Sequence, residues 1–389
     1  MKDYYKLLVL LCIVALASCK RVNDPIGPEY KIPSSSFELF NNSYFKATIL
    51  EPNFSIDPSD QETFEAEFSE EVTWKITLKG LKSGAVKTYN GFSKKLDASN
   101  NIWTGKHEGL YFFRTGEKVV ASLTFLGSDL LYTDTINIKY ARNWNIPGKI
   151  VTLVTLEKGT YSPEYQFYDG PVDKSNNDYK QTFPFQGSVY SDMQTAKNNQ
   201  IESVLRDING DTITTEIAGS IEGDKLYRMA GQDGIYGGED NSDYFIGGTG
   251  LAKGVYAGMS SDPSDVYFNI YVYGTGDLNS KLVVNFGEDD NLNGTFEEGK
   301  KAENYAIKED EFTFGIPVTW IGWKLVSVKY SDLTLSGDGA KAVNGNKKLE
   351  PHKVKKVGFV LLSLAKGGKA SVRFDFATFT MGKPFNPNE

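Results

Sequence analysis

The segment from Val266 to Tyr273 alternates two kinds of side chain. Its even-numbered residues are apolar, which predicts the buried face of a β-strand. Its odd-numbered residues are Tyr267, Asn269, Tyr271 and Tyr273. Three phenol rings and an amide in one row can stack on the C–H face of a sugar and hold its hydroxyl groups. The sequence therefore predicts a carbohydrate platform, provided that this face is open. The alternative is that these tyrosines are present because tyrosine favours β-structure.

Two tryptophans offer further stacking surfaces. Trp320 precedes an apolar strand pattern and is expected in a turn, whereas Trp103 lies in a short segment expected to be a loop. Trp323 and Trp74 fall inside strand patterns, which predicts that both are buried. Trp320 and Trp103 therefore complete the predicted ligand-binding residues.

The segment that starts at Asp289 places oxygen-bearing side chains at alternate positions and a glycine at the sixth position. Calcium loops share this arrangement, but they use a bidentate glutamate at the twelfth position, where this chain has Lys300. Glu297 or Glu298 would have to replace that glutamate. The predicted metal ligands are Asp289, Asn291, Asn293, Thr295 and Glu298. The sequence leaves open a structural Ca²⁺ site or an ordinary Asn-Gly hairpin turn.

Several other chemistries do not fit the sequence. The chain has two histidines, which excludes a metal or nucleophile site built on several imidazoles. The glycine-rich segments 231–238 and 247–250 are not followed by amphipathic helices, so loops are expected there and not phosphate cradles. A formal net charge of -8 argues against a nucleic-acid partner, because phosphates require a basic surface. A glycosidase stays an alternative, because it needs only two suitably spaced carboxylates.

The elements that must position these residues are strands. The chain contains 22 tyrosines, 24 phenylalanines and 38 glycines, and segments with a period of two recur along it, which predicts an all-β fold. We expect an immunoglobulin-like β-sandwich at 35–142 and a larger β-jelly roll at 146–389. A linker is expected at about 143–148.

The N-terminus predicts export from the cytoplasm. Lys2 and Lys6 precede an apolar run at 7–16, which is shorter than the roughly 20 residues of a membrane-spanning helix. We interpret 1–18 as a signal peptide. The sequence Leu16-Ala17-Ser18-Cys19 resembles the lipobox of bacterial lipoproteins, which implies cleavage before Cys19 and lipidation of its thiol. Residues 19–34 are then a lipidated tether, and the mature chain keeps one cysteine and makes no internal disulfide.

The order of features from Trp320 onward resembles the closing strands of galactose-binding-like jelly rolls, the fold of many carbohydrate-binding modules. The matching segments are Trp320 to Val328, Tyr330 to Leu333, Val354 to Leu361 and Val372 to Phe376. This chain departs from the pattern at Asp375, which has phenylalanine on both sides where the family has a polar aspartate-asparagine pair. No ligand role is therefore carried over to Asp375.

Taken together, these features resemble the surface lipoproteins of starch-utilisation (Sus) type loci in Bacteroidota. The resemblance implies a non-catalytic lipoprotein that is anchored to the outer membrane, is exposed at the cell surface and binds an extracellular oligo- or polysaccharide. Its implied partners are a TonB-dependent outer-membrane transporter and the lid lipoprotein of that transporter. The alternatives are an accessory subunit of the transporter complex that binds peptide or another ligand, and a glycoside hydrolase.

Overall fold

The computed structural model describes residues 44–153, 165–168, 200–202, 219–232, 244–251, 258–297, 307–365 and 368–388, apart from the single positions 57, 225 and 338. The signal peptide, Cys19, the tether and Glu298 lie outside the described residues. Within the described ranges, no helix has the length and apolar character needed to cross a lipid bilayer.

The first domain is a five-stranded antiparallel sheet whose central strand is long. The strands are β1 (Lys46–Ala47), β2 (Phe64–Gly80), β3 (Val86–Leu96), β4 (Lys118–Phe125) and β5 (Leu131–Asn137). Their order is β1-β2-β4-β5, and β3 pairs with β2. Strand β2 joins two segments that the sequence pattern separates, with a register shift between Glu67 and Val72. Trp74 on β2 is buried in the core, as expected, and its ring packs so closely on Gly91 of β3 that any Cβ there would overlap it.

The second domain is a larger β-sandwich. Its strands are β6 (Ile150–Thr152), β7 (Tyr165–Tyr168), β8 (Gln200–Glu202), β9 (Leu226–Gln232), β10 (Tyr244–Leu251), β11 (Val266–Thr275), β12 (Ser280–Glu288), β13 (Glu311–Pro317), β14 (Ile321–Lys329), β15 (Thr334–Leu335), β16 (Val354–Ser363) and β17 (Lys369–Met381). One sheet has the order β15-β13-β12-β16-β10-β7, and the other has the order β14-β11-β17-β9-β8 with β6 on β17. The prediction of an all-β fold is confirmed, and the second domain has the two packed sheets expected of a larger β-sandwich.

The core of the second domain lies between its two sheets. The predicted inward face of β11 is confirmed, because Val266, Phe268, Ile270 and Val272 are all buried in the main apolar cluster. Residues of β12, β16 and β17 complete that cluster from the other sheet and from the neighbouring strand. The odd-numbered residues of β11 consequently lie on the outer face of their sheet.

The glycine-rich segment 247–250 forms a strand, and the prediction of a loop there is wrong. Strand β10 contains this segment and pairs with β16 on one side and β7 on the other. Two hydrogen-bonding neighbours hold these glycines extended, although glycine has no intrinsic preference for a strand.

A β-bulge in β17 reorients two adjacent side chains. Between the pairs Asn269–Thr378 and Tyr271–Asp375, β17 has one residue more than β11. The bulge contains Phe376, whose backbone lies in the left-handed region with a φ of +45°. Because of this bulge, Asp375 and Phe376 both point to the outer face of the sheet, where strict alternation would separate them.

The two domains meet through an apolar cluster, called the interdomain cluster below. Its buried members are Phe112, Trp144, Ile221, Tyr271, Phe376 and Phe385. Trp144 belongs to the expected linker 143–148, and its ring centroid lies 5.2 Å from that of Phe112 and 5.4 Å from that of Phe385. Trp144 therefore packs between the domains, while the other residues of this segment are exposed or half-buried.

Candidate functional site

The outer face of β11 is covered along much of its length, so the predicted open platform is not present there. Tyr271 is 1% exposed because Phe112 of the first domain and Phe376 of the bulge pack against it. Burial, together with the Asp375 carboxylate, raises the pKa of the Tyr271 phenol. Tyr271 therefore joins the domains, and the prediction that it contacts ligand from an exposed row is wrong.

Asn269 also has a structural position. Its Oδ1 accepts a hydrogen bond from the Phe385 backbone N–H at 2.9 Å, and its Nδ2 donates to Thr380 Oγ1 at 3.0 Å. The side chain is buried and ties the C-terminal segment to the sheet. A buried amide with these partners does not reach a ligand, which corrects the second member of the predicted row.

Trp103 belongs to the core of the first domain and is fully buried. Its ring packs edge-on against Phe54 and Phe113, each at a centroid distance of 4.8 Å. Its Nε1 donates to the Lys106 carbonyl at 2.7 Å. The loop position suggested exposure, but the segment pairs with Glu62 and turns the indole inward, so the predicted ligand role is wrong.

The remaining predicted aromatic residues are partly exposed. Tyr267 lies beside Lys329, with the ammonium 5.9 Å from the ring centroid. Trp320 donates from Nε1 to the Val272 carbonyl at 3.3 Å, and the Lys324 ammonium lies 4.9 Å from its ring centroid. Both residues keep an accessible part, and their ligand roles stay predictions.

At the edge of the interdomain cluster, on the outer face of the sheet, three aromatic residues form a group that is called the aromatic seam below. They are Tyr111 of the first domain, Tyr273 of β11 and Trp323 of β14. Tyr273 and Trp323 are paired residues on neighbouring strands, and their rings meet edge to face at a centroid distance of 5.5 Å. Tyr111 and Trp323 are partly exposed, and Tyr273 is 8% exposed. Burial, followed by the proximity of Tyr273, raises the pKa of the Tyr111 phenol.

Polar contacts fix the segment 219–224 beside the seam. Trp323 Nε1 donates to the Gly219 carbonyl at 2.8 Å. The Asp375 carboxylate accepts hydrogen bonds from the backbone N–H groups of Ile221, at 2.7 Å, and Glu222, at 2.9 Å. Both contacts hold the segment against the outer face, so Trp323 has a fixed orientation.

Charged side chains border the same region. Arg114 of the first domain forms an ion pair with Asp224 at 2.6 Å and donates to the Ser220 carbonyl at 3.2 Å. Arg373 of β17 is directly opposite Tyr273 and Arg228, and its Nη1 donates to Ser371 Oγ at 2.8 Å. The seam is thus an aromatic edge between guanidinium groups of both domains.

The alternation of β17 could have indicated part of this arrangement. Ser371, Arg373 and Asp375 are polar residues between apolar neighbours, which is the pattern of an outward face. The pairing of Tyr273 with Trp323 had no local signal, since the two residues lie on strands that are distant in sequence.

The predicted calcium loop forms a compact turn after β12. The Asp289 carboxylate accepts the backbone N–H groups of Asn293, at 3.0 Å, and Gly294, at 2.8 Å. Asn293 Oδ1 accepts the Thr295 N–H at 2.9 Å, and the Asn293 amide also donates to Glu297 Oε1 at 2.5 Å.

Glu309 also reaches this loop, although the sequence pattern did not indicate it. Its carboxylate accepts the N–H groups of Asn291 and Glu297, each at 3.0 Å. Burial and the neighbouring Glu297 carboxylate raise the pKa of Glu309 to about 7. Asp289, Glu297 and Glu309 therefore bring three carboxylates to one loop, and Thr295 and Asn291 line the exposed side.

Comparison with known proteins gives distant structural likenesses. No protein-family profile matches the sequence. No curated protein matches it either. A family 11 carbohydrate-binding module of a Clostridium thermocellum cellulosomal cellulase is 9% identical, with 41% of this chain and 76% of that chain covered and a TM-score of 0.27. SGBP-B from a complex xyloglucan utilization locus in Bacteroides uniformis is 11% identical, with 86% and 72% covered and a TM-score of 0.27.

A tandem of family 22 carbohydrate-binding modules from Paenibacillus barcinonensis Xyn10C is 8% identical, with 92% of this chain and 96% of that chain covered and a TM-score of 0.26. These neighbours are carbohydrate-binding proteins by their descriptions. A likeness at this level of identity and TM-score gives neither the family nor the ligand of this chain.

Proposed function

We propose that this chain is a non-catalytic glycan-binding protein whose ligand lies on the aromatic seam. The observation that carries this proposal is the pair of Trp323 and Tyr273, with Tyr111 beside it, at the edge of the interdomain contact, where Trp323 and Tyr111 are partly exposed. An indole held by its Nε1–H contact to Gly219 offers a rigid apolar face to a sugar ring. The exposed carboxylate of Asp224, which Arg114 holds by an ion pair, stands at the rim and can hold hydroxyl groups.

The proposed site is tested by comparing how two aromatic substitutions change polysaccharide binding. Trp323→Ala should weaken polysaccharide binding by about 1 to 3 kcal/mol, the range for a truncated aromatic anchor. Phe92→Ala is the matched control, because Phe92 is an aromatic residue of the first domain that is 65% exposed. Affinity electrophoresis of residues 20–389 against a panel of soluble polysaccharides gives the readout. Equal retardation of both variants and the wild type would remove the seam as the binding site.

Trp320→Ala distinguishes the seam from the predicted alternative. Trp320 is partly exposed and lies at the start of β14, beside the exposed side chain of Ile321. Loss of binding in Trp320→Ala but not in Trp323→Ala would place the ligand at that turn instead of at the seam.

The glycosidase alternative needs two carboxyl groups that face a substrate. Among the described residues, Glu288, Asp290 and Glu350 bring ligand oxygens within 4.8 Å of one another. Glu288 is fully buried and cannot contact a polysaccharide. Release of reducing sugar from any glycan that the protein retards would instead support an enzyme.

We also propose that the protein is lipidated at Cys19 and tethered to the outer membrane, where it presents glycan to a TonB-dependent transporter and its lid lipoprotein. The basic N-terminus, short apolar run and small residues before Cys19 support this proposal. Cys19→Ser should move the protein from the membrane fraction to the soluble fraction. Co-purification of the wild type with a TonB-dependent transporter would support the proposed partner. A purification that recovers the protein from the membrane without a transporter would contradict it.

We further propose that the loop after β12 holds a structural Ca²⁺. Asp289, Glu297 and Glu309 would supply carboxylate oxygens, and the side-chain amides of Asn291 and Asn293 lie beside them, with their Nδ2 groups donating to Glu297. Glu309 would take the place of the glutamate that the twelfth position lacks. Adding Ca²⁺ to chelator-treated protein should raise its Tm, and this rise should be smaller in Asp289→Asn/Glu309→Gln.

A further inference from the structure

A second group of carboxylates lies next to the loop but on the other side of the chain. Strand alternation sends neighbouring residues in opposite directions at the end of β12 and just before β13. Asp289 and Glu309 face the loop, whereas Glu288, Asp290 and Asp310 face the end of the sandwich. Glu350, just before β16, joins the second group because β13, β12 and β16 are neighbours in one sheet.

These four residues are called the inner acidic cluster. Ligand oxygens of Glu288, Asp290 and Glu350 lie within 4.8 Å of one another. Two ligands on opposite sides of a Ca²⁺ ion are about 4.6 to 5.2 Å apart, which is twice the Ca–O distance. The carboxyl group of Asp310 adjoins that of Asp290.

Three carboxylate oxygens of the inner acidic cluster are buried without a hydrogen-bond partner among the described residues. They are Glu288 Oε2, Asp290 Oδ2 and Asp310 Oδ1. Glu288 and Asp310 are fully buried. A buried anionic oxygen without a donor costs free energy, so each of these atoms is suited to a cation or a proton.

The opposite oxygens of the same carboxyl groups are held by donors. Glu288 Oε1 accepts from Tyr330 Oη at 2.7 Å and from the Glu350 N–H at 2.8 Å. Asp310 Oδ2 accepts the Lys347 N–H, and Asn346 Nδ2 donates to Asp290 Oδ1 at 2.9 Å. One oxygen of each of these carboxyl groups accepts a hydrogen bond, and the other has no hydrogen-bond partner among the described residues.

Protein cations balance only part of this charge. The Lys353 ammonium lies 2.7 Å from Glu350 Oε2 and 3.6 Å from Asp290 Oδ1. Lys347 contributes a weaker attraction to Asp310 from an exposed position. The Lys353 ammonium is shared between two of the four carboxyl groups, so the cluster can accommodate a further positive charge.

We propose that Glu288, Asp290, Asp310 and Glu350 form a second cation site, separate from the loop, which binds Ca²⁺. All the candidate ligands are oxygen atoms, which hard cations prefer, and they come from three chain segments in an irregular arrangement that Ca²⁺ tolerates better than Mg²⁺. The ion joins the ends of β12, β13 and β16. This site does not depend on the proposed glycan function.

Adjacent residues allow a closely matched test of the two sites. Glu288→Gln/Asp310→Asn changes the inner acidic cluster, and Asp289→Asn/Glu309→Gln changes the loop. Both variants replace two carboxylates by amides at adjacent positions along the chain, so they change net charge equally. Calcium binding by chelator-treated residues 20–389 is measured by titration calorimetry, with Mg²⁺ as the competing ion.

We expect the inner variant to bind one Ca²⁺ fewer per chain than the wild type, while the loop variant keeps the inner ion. In chelator, the inner variant should have a Tm at least equal to that of the wild type, because neutral amides replace crowded carboxyl groups. In Ca²⁺ the order should reverse, with a difference of at least about 3 °C. A carboxylate with only a hydrogen-bonding role would not produce this reversal.

A folded inner variant that binds as much Ca²⁺ as the wild type would overturn the proposal, and so would a wild type that binds none. If the inner variant does not fold, Tb³⁺ provides the test on the loop variant. Tyr330 donates its hydroxyl to Glu288, so a Tb³⁺ ion at the inner site should show luminescence sensitised by this tyrosine. Absence of Ca²⁺-displaceable sensitised luminescence in the loop variant would also overturn the proposal.

Discussion

The ring of Phe112 in the first domain lies edge to face against that of Phe376 in the last strand, with centroids 4.7 Å apart. Phe376 reaches this position because the bulge in β17 places it on the outer face next to Asp375. Phe112 also contacts Trp144, Phe385 and His107. One first-domain side chain thus touches most of the apolar surface that joins the domains.

Phe112→Ala should lower the free energy of unfolding by about 3 to 5 kcal/mol, the range for truncating a buried phenylalanine. Because the lost contacts lie between the domains, a single unfolding transition in urea should also become two. Phe92→Ala is the control, and its effect should stay within about 0.5 kcal/mol. A one-step transition with wild-type stability in Phe112→Ala would mean that the domains are not coupled through this ring.

The interdomain cluster also explains why the fold was predictable and the site was not. Period-two alternation predicted the inward face of β11, since Val266, Phe268 and Ile270 follow from local sequence alone. The outer face depends on what packs there, and Tyr271 is covered by Phe112, a residue from another domain. Alternation identifies two faces of a strand but does not say which of them meets water.

The loop that starts at Asp289 shows the same limit of prediction from local sequence, over a shorter distance. Its turn chemistry, from Asp289 through Gly294, was readable because the residues are consecutive. Glu309 reaches the loop only because β12 and β13 form a hairpin that returns the chain to it. Spacing along the sequence therefore predicted the loop and missed a carboxylate that closes it.

Asp375→Ala should loosen the segment beside the aromatic seam. The carboxylate accepts two backbone N–H groups, from Ile221 and Glu222, and hydrogen bonds to a charged acceptor contribute about 1.5 to 3 kcal/mol. Amide hydrogen exchange in 219–224 should become faster, and glycan affinity should fall with it. Asp332→Ala, at an exposed aspartate, should leave both unchanged. Unchanged protection of 219–224 in Asp375→Ala would show that other contacts hold the segment.

Glu62 should make the first domain less stable as pH rises. Burial raises the pKa of this carboxyl group to about 7, although Thr48 and Ile49 donate to it. A folded-state pKa above the unfolded value means that the folded state holds the proton longer. The stabilisation is present below about pH 4.5 and is lost as pH rises through 7.

Glu62→Gln should remove this dependence. The stability of the variant relative to that of the wild type should therefore increase from pH 5 to pH 8, as measured by urea denaturation at each pH. Glu65→Gln, at an exposed glutamate of β2 close to Glu62 in the chain, is the control and should show no such trend. A difference between Glu62→Gln and wild type that is constant over this range would contradict the raised pKa.

His107 should make the protein less stable as pH falls. The His107 side chain is fully buried, and its ring centroid lies 4.1 Å from that of Phe112. Within the described residues, neither ring nitrogen has a hydrogen-bond partner. Burial, with Lys87 and Arg142 nearby, lowers the pKa of His107 to about 3. The unfolded chain binds a proton near pH 6.5 that the folded chain does not, so stability is lost as pH falls below that value.

His107→Phe replaces the imidazole with an apolar ring that cannot take up this proton. The variant should gain stability relative to the wild type as pH falls from 7 to 5, the reverse of the trend expected for Glu62→Gln. His352→Phe is the control, because His352 is exposed. If His107→Phe and wild type lose stability equally on acidification, the imidazole is protonated in the folded protein, and the contact between Phe112 and His107 must open to admit solvent.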